Sequence, residues 1–307
     1  MPRFALAALA VSALLAAAAP VRAESVIVDS LELRVAQAER VVVGTVVQSQ
    51  VLPYRSGGGW RWTLARLAVE ETLRGPKTRE IDVLVRGGMI AGPWSAPGSR
   101  ILALLLPRDP AATASDSPPD SAPDGAWIAA PGSSSITDPG LGAIVLDPKA
   151  PPIVTRDFRV LRDPSALLTA ARAAAKAAGP GPVEAYPLDT PFDSEAGKLL
   201  YAGSVVSVRV PIDAALIAQA RAWVRSSEVS ERVRGAEILG KVPGKDVDAL
   251  LKGLLDDPGA WLQSWDDGRR ERLYPVRRAA RDALRDRGVA VGEVVITEPL
   301  PPEKPSR

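Results

Sequence analysis

The sequence predicts an α+β protein, with a small curled β-sheet or barrel in its N-terminal half and a module of helix pairs near its C-terminal end. Short runs rich in Val, Ile and Leu, separated by Gly and Pro, follow one another between residues 41 and 146, which indicates strands joined by turns. After residue 213 the apolar residues recur at helical spacing. A Val-Arg-x-Ala motif at Val233 recurs at Val276, about 40 residues later, and this period is typical of repeated helix pairs.

The first 23 residues have the pattern of a signal peptide. Arg3 supplies a positive charge, residues 4–19 form an apolar run, and Val21 and Ala23 are the small residues that precede cleavage. The apolar run is shorter than a bilayer crossing requires. We therefore expect cleavage after Ala23, no membrane span in the processed chain, and a periplasmic or secreted protein.

The composition restricts the chemistry that the chain can perform. The sequence contains neither histidine nor cysteine, which excludes Ser-His and Cys-His nucleophile pairs, disulfides and thiolate metal sites. Histidine is also the commonest zinc ligand and the usual proton-transfer group near neutral pH. The formal net charge is only +2, so no basic excess suggests a nucleic-acid partner. We expect a non-enzymatic protein without a metal or cofactor.

The N-terminal elements define a predicted β-rich domain over residues 24–155. A short amphipathic helix is predicted at residues 31–40, followed by strands at residues 41–53, 60–73, 79–88, 100–108, 127–130 and 142–146. Gly44 lies inside the first of these strands and predicts a bulge or bend that lets the strand curl. Residues 109–125 contain mainly Pro, Ser, Ala and Asp, a composition that predicts a disordered surface loop.

The next segment, residues 156–212, is predicted to be a connecting module with one helix and one strand. The helix has a cap at Asp163, Pro164 at its first position, and a stop at Gly179. Helices are then predicted from residue 214 and at residues 228–241, 246–255 and 275–287, with a short strand at 289–298 and a disordered tail to residue 307.

The last predicted helix has one apolar stripe and one charged face. The inward stripe contains Val276, Ala279, Ala280, Ala283 and Leu284, and the arginines at 277, 278, 281, 285 and 287 are expected to face water beside Asp282 and Asp286. Small alanine side chains allow close helix approach. One helix pair cannot bury its stripe alone, so we expect it to stack on a neighbouring pair.

This helix start, Tyr274-Pro275-Val276-Arg277 followed by paired alanines, resembles the Pro-x-Val-Arg-x-Ala-Ala pattern of HEAT-type repeats, especially the short repeats related to phycobilisome lyases. The copy at Val233 is less similar, because Ser230 or Glu231 stands where Pro is expected. The resemblance covers residues 214–288 and implies a HEAT-like module of stacked helix pairs over residues 213–288.

The N-terminal half resembles exported bacterial domains with an oligonucleotide/oligosaccharide-type (OB-type) barrel, in the style of netrin and metalloproteinase-inhibitor modules. The matching segments are residues 38–46, 69–75 and 98–105. The resemblance implies an OB-like barrel. The inhibitors place an N-terminal cysteine on zinc, and this chain has no cysteine, so that mode of inhibition is not implied.

A polar insertion at residues 257–274 carries the predicted contact surface. Trp261 and Trp265 lie in this insertion, where a core position does not readily explain them. Together with Tyr274, Arg277 and Arg281 they form the surface that we expect to contact a partner. The expected partner is an unknown protein of the cell envelope, and the expected function is protein–protein interaction or scaffolding.

Two other functions remain open from the sequence. Trp60, Trp62 and Trp94 would form a stacking platform in an oligosaccharide-binding module, or the core and rim of a small barrel. Paired carboxylates would serve a carbohydrate-active or peptidoglycan-related enzyme, and the candidates are Glu70, Glu71 and Asp82.

Two acidic pairs, at residues 256–257 and 266–267, resemble the halves of a cation site. They lack the regular oxygen spacing of a calcium loop. We therefore predict that they are solvated loop acids.

Overall fold

The computed structural model describes residues 26–53, 62–86, 92–108, 122–123, 125–130, 142–181, 183–200, 206–265, 267 and 269–301. The predicted signal peptide, Trp60 and nearly all of the predicted loop at 109–125 lie outside these residues. The chain divides into two compact units. The first contains the described residues up to Pro180 together with Pro187–Val210, and the second contains Gly181–Tyr186 and the residues from Pro211 onward.

The first unit begins with β1 (Val26–Asp29) and α1 (Leu31–Gln37), and its main feature is a closed barrel of the next five strands. The barrel strands are β2 Arg40–Val51, β3 Trp62–Arg74, β4 Glu80–Arg86, β5 Arg100–Leu106 and β6 Trp127–Ala129. Their order is β2-β3-β4-β6-β5, and β5 pairs again with β2 to close the barrel. Only β4 and β6 are parallel neighbours within this closed ring. The predicted OB-like barrel is therefore present.

Alternating apolar side chains fill the barrel interior. They are Val42, Val46, Ala65, Leu67, Ile81, Val83, Val85, Ile101, Ala103, Leu105 and Ala129. Trp94, from the short 3-10 helix Gly92–Ser95, packs into the same cluster and is fully buried. The β2–β3 register shifts between Val43 and Gly44, and a Cβ on Gly44 would lie 2.5 Å from the carbonyl oxygen of Ala68. The predicted bulge at Gly44 is confirmed, since only glycine permits this approach.

Two helices cover the outer face of β2 and β5. They are α1 and α2 (Pro164–Ala177), whose side chains form a second apolar cluster with Val41, Val43, Leu102 and Leu104. Asp163 caps α2 by accepting from the Ala166 N–H at 2.9 Å, as predicted. The helix assigned by sequence to a connecting module is thus part of the barrel unit.

One arginine joins the C-terminal ends of α1 and α2. The guanidinium of Arg74, at the end of β3, donates to the carbonyl oxygens of Val35 and Ala36 at 3.3 and 2.9 Å. It also donates to the carbonyl oxygen of Gly179, just after α2, at 2.8 Å. A cation at these carbonyls is favoured by the partial negative charge of a helix C-terminus.

The remaining strands of this region are short. They are β7 Ala143–Val145 on β5, the hairpin β8 Ile153–Val154 and β9 Val160–Leu161, and β10 Ala185–Asp189 and β11 Val206–Pro211, which form a sheet in the order β1-β11-β10. A short helix, α3 (Glu195–Leu200), lies between β10 and β11. Arg209 holds the parallel β1–β11 pair through two hydrogen bonds to Asp29 at 2.5 and 2.9 Å.

Among its described residues, the second unit contains four helices close to the predicted positions. They are α4 Ala214–Trp223, α5 Val229–Gly240, α6 Lys245–Gly253 and α7 Pro275–Asp286. α5 packs against α4 and α7, and α6 packs against α7. A Cβ on Gly240 would lie 2.6 Å from the Cβ of Ala283, so α5 and α7 approach closely there. The expected contact between the helices that carry Val233 and Val276 is confirmed.

A three-stranded antiparallel sheet accompanies these helices. Its strands are β12 Trp261–Ser264, β13 Arg270–Leu273 and β14 Thr297–Leu300, in that order. The predicted polar insertion is therefore a hairpin. The last strand lies later than the predicted 289–298 and includes two residues of the predicted disordered tail, because pairing with β13 fixes its register. Among the described helices, none combines the length and the apolar character needed to cross a bilayer.

Candidate partner-binding surface

The open edge of β12 is the candidate surface of the second unit. Trp261 pairs with Leu273 and Ser264 with Arg270, and the N–H of Trp265 donates to the carbonyl oxygen of Arg269 at 2.9 Å. Alternate residues of an antiparallel strand bond to the same neighbour. The main-chain groups of residues 261, 263 and 265 therefore face β13, whereas those of Leu262 and Ser264 face the open side.

This edge is uncharged and exposed, and it carries two large apolar side chains. All four residues of β12 are exposed, with Trp261 at 49% and Leu262 at 58%. Within the described chain, no strand pairs with the outer side of β12. Proteins usually protect such edges with charges or proline. The opposite edge of the sheet, β14, has Glu298 and Pro299, but the sequence Trp-Leu-Gln-Ser of β12 has no such residue.

Trp265 extends the same edge beyond β12. Its side chain is half-buried, and the guanidinium carbon of Arg269 lies 4.6 Å from its ring centre. Arg269 also approaches Asp267 at 3.6 Å. A cation over an indole ring stabilises an exposed site by about 0.5–1 kcal/mol. One face of the Trp265 ring is thus covered by the chain itself.

Tyr274 lies within the structure rather than on the predicted contact surface. It is 9% exposed, and its hydroxyl donates to Oε2 of Glu298 at 2.7 Å. Arg272 donates to the same oxygen at 3.0 Å. The hydrogen bond from Tyr274, assisted by the charge of Arg272, lowers the pKa of Glu298. Tyr274 therefore fastens β14 to the start of α7 and offers little surface to a partner.

Arg277 and Arg281 are also engaged within the chain. Arg277 donates from Nε to the carbonyl oxygen of Asp257 at 2.7 Å, and its guanidinium lies 3.9 Å from the ring centre of Tyr274. Arg281 donates to Oδ1 of Asp282 at 2.9 and 2.7 Å, and 18% of its side chain is exposed. Both arginines are half-buried.

The outward-facing prediction for the arginines of α7 is confirmed for Arg278 and Arg285. It is wrong for Arg277 and Arg287. Arg287 donates to the carbonyl oxygens of Val242 and Gly244, in the turn after α5, and to Asp248 of α6.

A buried ion pair anchors the segment that leads into β12. Asp257 is 8% exposed and accepts from Nε and Nη2 of Arg232 at 2.8 and 3.0 Å. Arg232 also donates to the carbonyl oxygens of Ser226 and Ser227, each at 2.8 Å. The prediction of a solvated acid is wrong for Asp257, whereas Asp267 is exposed. Sequence reasoning missed Arg232, because nothing in its local pattern signals a partner in a distant loop.

The carboxylates considered for catalysis do not form a pair. Glu70 accepts from Arg100 at 2.8 Å, Glu71 from Arg172 at 2.7 and 2.9 Å, and Asp82 from Arg66 at 2.8 Å. The arginine hydrogen bonds lower the pKa values of Glu70 and Glu71. Each acid therefore has its own arginine on the barrel surface.

The tryptophans considered for sugar stacking are core residues where the structure describes them. Trp62 is 5% exposed and Trp94 is 0% exposed. Trp62 packs with Leu52 and Leu84 on the outer side of the barrel, together with Ala122 and Ala126. This cluster covers part of the outer face of β3 and β4, so neither tryptophan presents a ring to a ligand.

An open cleft of about 600 Å³ lies beside the start of α2. Its lining residues are Val160, Leu161, Arg162, Asp163, Ala166, Glu195 and Lys198. Both of its acids serve the fold, because Asp163 caps α2 and Glu195 accepts from the N–H of Val160 at 3.2 Å. In the described ranges, no cluster of three or more acidic side chains is arranged to hold a metal ion.

Comparisons of this chain with protein-family models, with curated proteins and with solved structures gave no match.

Proposed function

We propose that this chain is an exported, non-enzymatic protein that binds another protein chain in the cell envelope, as an interaction or scaffold protein. Export is supported by the signal-peptide pattern of residues 1–23. The observation that carries the interaction is the edge of β12 with Trp261 and Leu262, which is exposed, uncharged and, among the described residues, unpaired. An exposed apolar strand edge is a template for another strand.

Strand addition would use both parts of this edge. The outward N–H and C=O groups of Leu262 and Ser264 supply main-chain hydrogen bonds, and the side chains of Trp261 and Leu262 supply apolar area. Covering the exposed half of a tryptophan removes roughly 100 Å² from water, which stabilises a complex by about 2.5 kcal/mol. Trp261 thus offers a substantial apolar area to a partner.

The helices hold the chain on both sides of the β12–β13 hairpin. We infer that α4–α7 form a short HEAT-like stack, supported by the Pro275-Val276-Arg277 helix start and by the close approach of α5 and α7 at Gly240 and Ala283. The ion pair of Arg232 with Asp257 fastens the chain just before β12. A rigid element lowers the entropy lost when a partner binds.

The other two functions receive less support from the described residues. The outer face of β3 and β4 is partly covered by Trp62, Ala122 and Ala126, so the barrel presents no described row of aromatic rings to an oligosaccharide. The acids Glu70 and Glu71 are each held by a different arginine. A carboxylate mechanism needs two acids facing one cleft.

A pull-down from envelope extract tests the proposal. The processed chain should recover a protein that the double variant Trp261→Ala/Trp265→Ala recovers at least tenfold less. Phe192→Ala is the matched control, because Phe192 is an aromatic residue that is 83% exposed in the first unit. Equal recovery by all three proteins would exclude β12 as the contact.

A further inference from the structure

We propose that the open edge of β12 pairs with β12 of a second copy of this chain, antiparallel, about a two-fold axis that passes beside Gln263. This inference rests on the proposed use of β12 as a contact and names its occupant. The two sheets would then form one continuous sheet, in which β12 and its copy are the central strands.

The hydrogen-bonding pattern fits this pairing. Leu262 and Ser264 direct their main-chain groups to the open side. With Gln263 at the axis, Leu262 of one copy lies opposite Ser264 of the other. Two outward-facing residues that lie opposite each other exchange both N–H···O=C bonds. The two symmetry-related pairs therefore satisfy every outward main-chain group of residues 262 and 264.

The side chains favour the same register. With Gln263 at the axis, Trp261 lies opposite Trp265 of the other copy, and the reverse pair follows by symmetry. These are non-hydrogen-bonded positions, where opposite side chains come closest. An aromatic cross-strand pair stabilises the association beyond the area that it buries. Moving the axis to Leu262 or Ser264 would lose both tryptophan pairs.

Charge does not oppose the pairing. β12 has no charged residue, and Asp267 would lie opposite Gly259 of the other copy. The association of two copies therefore places no like charges opposite each other along the described strand. Uncharged edges are the ones that pair.

The outer edge of the sheet limits the assembly to two copies. β14 carries Pro299, which has no N–H to donate, beside the charged Glu298. The two-fold pairing uses the same surface on both copies and closes the assembly. Because the strand is short, the contact is at the small end of stable interfaces, and we expect a dissociation constant in the micromolar range.

Cysteine cross-linking tests the register directly, since the chain has no cysteine of its own. In the dimer, the two Gln263 Cα atoms are about 4.5 Å apart, a separation that a disulfide spans. Gln263→Cys should therefore give a disulfide-linked dimer under mild oxidation. Ser264→Cys is the matched control, because it faces Leu262 rather than itself, and it should cross-link at least fivefold less. Equal cross-linking by both variants, or none by either, overturns the proposal.

Sedimentation gives an independent measurement. The unmodified processed chain should change from monomer to dimer with increasing concentration up to about 100 µM, which covers the expected micromolar range. Ser264→Pro removes one outward N–H and should raise the concentration at the midpoint of dimerisation at least tenfold. Its circular dichroism should stay unchanged. A chain that is monomeric throughout overturns self-pairing. Recovery of a different protein in a β12-dependent pull-down would then still support the proposed function.

Discussion

Arg232 and Asp257 form a two-point ion pair, with donor–acceptor distances of 2.8 and 3.0 Å, although only 11% and 7% of their side chains are exposed. The pair connects α5 to the segment after α6. Removing one partner of a buried pair leaves the other charge without compensation, at a cost of about 3–5 kcal/mol.

We predict that Arg232→Ala lowers the free energy of unfolding by about 3–5 kcal/mol. Arg232→Lys should recover only part of this loss, because lysine cannot donate in parallel to Asp257 and to the carbonyl oxygens of residues 226 and 227. Urea unfolding of the processed chain measures both changes. The exposed Arg278 provides the control, and Arg278→Ala should change stability by less than about 0.5 kcal/mol. A similar loss in the two alanine variants would contradict the anchoring role.

The contact between α5 and α7 at Gly240 predicts a specific rescue. Gly240→Ala introduces a methyl group 2.6 Å from the Cβ of Ala283 and should cost about 1–3 kcal/mol. Ala283→Gly in the same chain removes that clash, so the double variant should be more stable than Gly240→Ala alone.

Gly253→Ala is the control for this experiment, because a Cβ there meets nothing within 4 Å. It should leave stability unchanged or raise it by up to about 1 kcal/mol. Chemical denaturation of the unmodified chain, Gly240→Ala, Ala283→Gly and the double variant completes the double-mutant cycle. Additive effects of the Gly240 and Ala283 substitutions would show that the two helices are not in close contact there.

The charge of Glu32 should make the protein less stable at neutral pH than it would be with a neutral isostere. Burial raises the pKa of Glu32, although its Oε2 accepts from the Arg156 N–H at 2.9 Å. A raised pKa in the folded state contributes stability that is present below the unfolded pKa and lost as pH rises through the folded pKa. Glu32→Gln keeps an acceptor for Arg156 without the charge. It should therefore raise Tm at pH 7 and leave it nearly unchanged at about pH 3.

Glu71→Gln is the control with the opposite sign. The hydrogen bond from Arg172 lowers the pKa of Glu71, so its contribution is present above the ordinary pKa and lost as pH falls through the folded pKa. This variant should lower Tm at pH 7. Thermal unfolding of both variants at pH 7 and at about pH 3 measures these changes in Tm. A change in the same direction for the two variants at pH 7 would contradict the opposite pKa shifts of Glu32 and Glu71.

Tyr274→Phe should raise the pKa of Glu298 towards the value of a free glutamate. The hydroxyl of Tyr274 is the largest cause of the lowered pKa, ahead of the charge of Arg272. An NMR titration of the Glu298 carboxyl measures the shift. Amides of β14 should also exchange faster, because the variant loses one of the two hydrogen bonds to Glu298. An unchanged pKa would show that the hydroxyl of Tyr274 does not lower the pKa of Glu298.

Local patterns carried enough information for the barrel strands and the helices. Alternating residues such as Val83 and Val85 point into the barrel, and Pro275 marks the start of α7 as it does in the sequence. These elements were predictable because period and capping are local properties.

The sheet beside the helices was not predictable in the same way. β13 has the sequence Arg-Glu-Arg-Leu, which has weak strand character. Its strand conformation depends on pairing with β12 and β14 and on the bonds of Glu298. The burial of Asp257 likewise depends on Arg232, 25 positions earlier. Such contacts arise from the tertiary structure, and no local period reveals them.

Arg74 couples the local unfolding of the C-terminal ends of α1 and α2. Its guanidinium is shared by the carbonyl oxygens that end α1 and the one that follows α2. Fraying of either end exposes the same cation to water and weakens its hold on the other. Hydrogen exchange at the C-terminal ends of α1 and α2 should therefore rise and fall together, although these ends are distant from each other in the sequence.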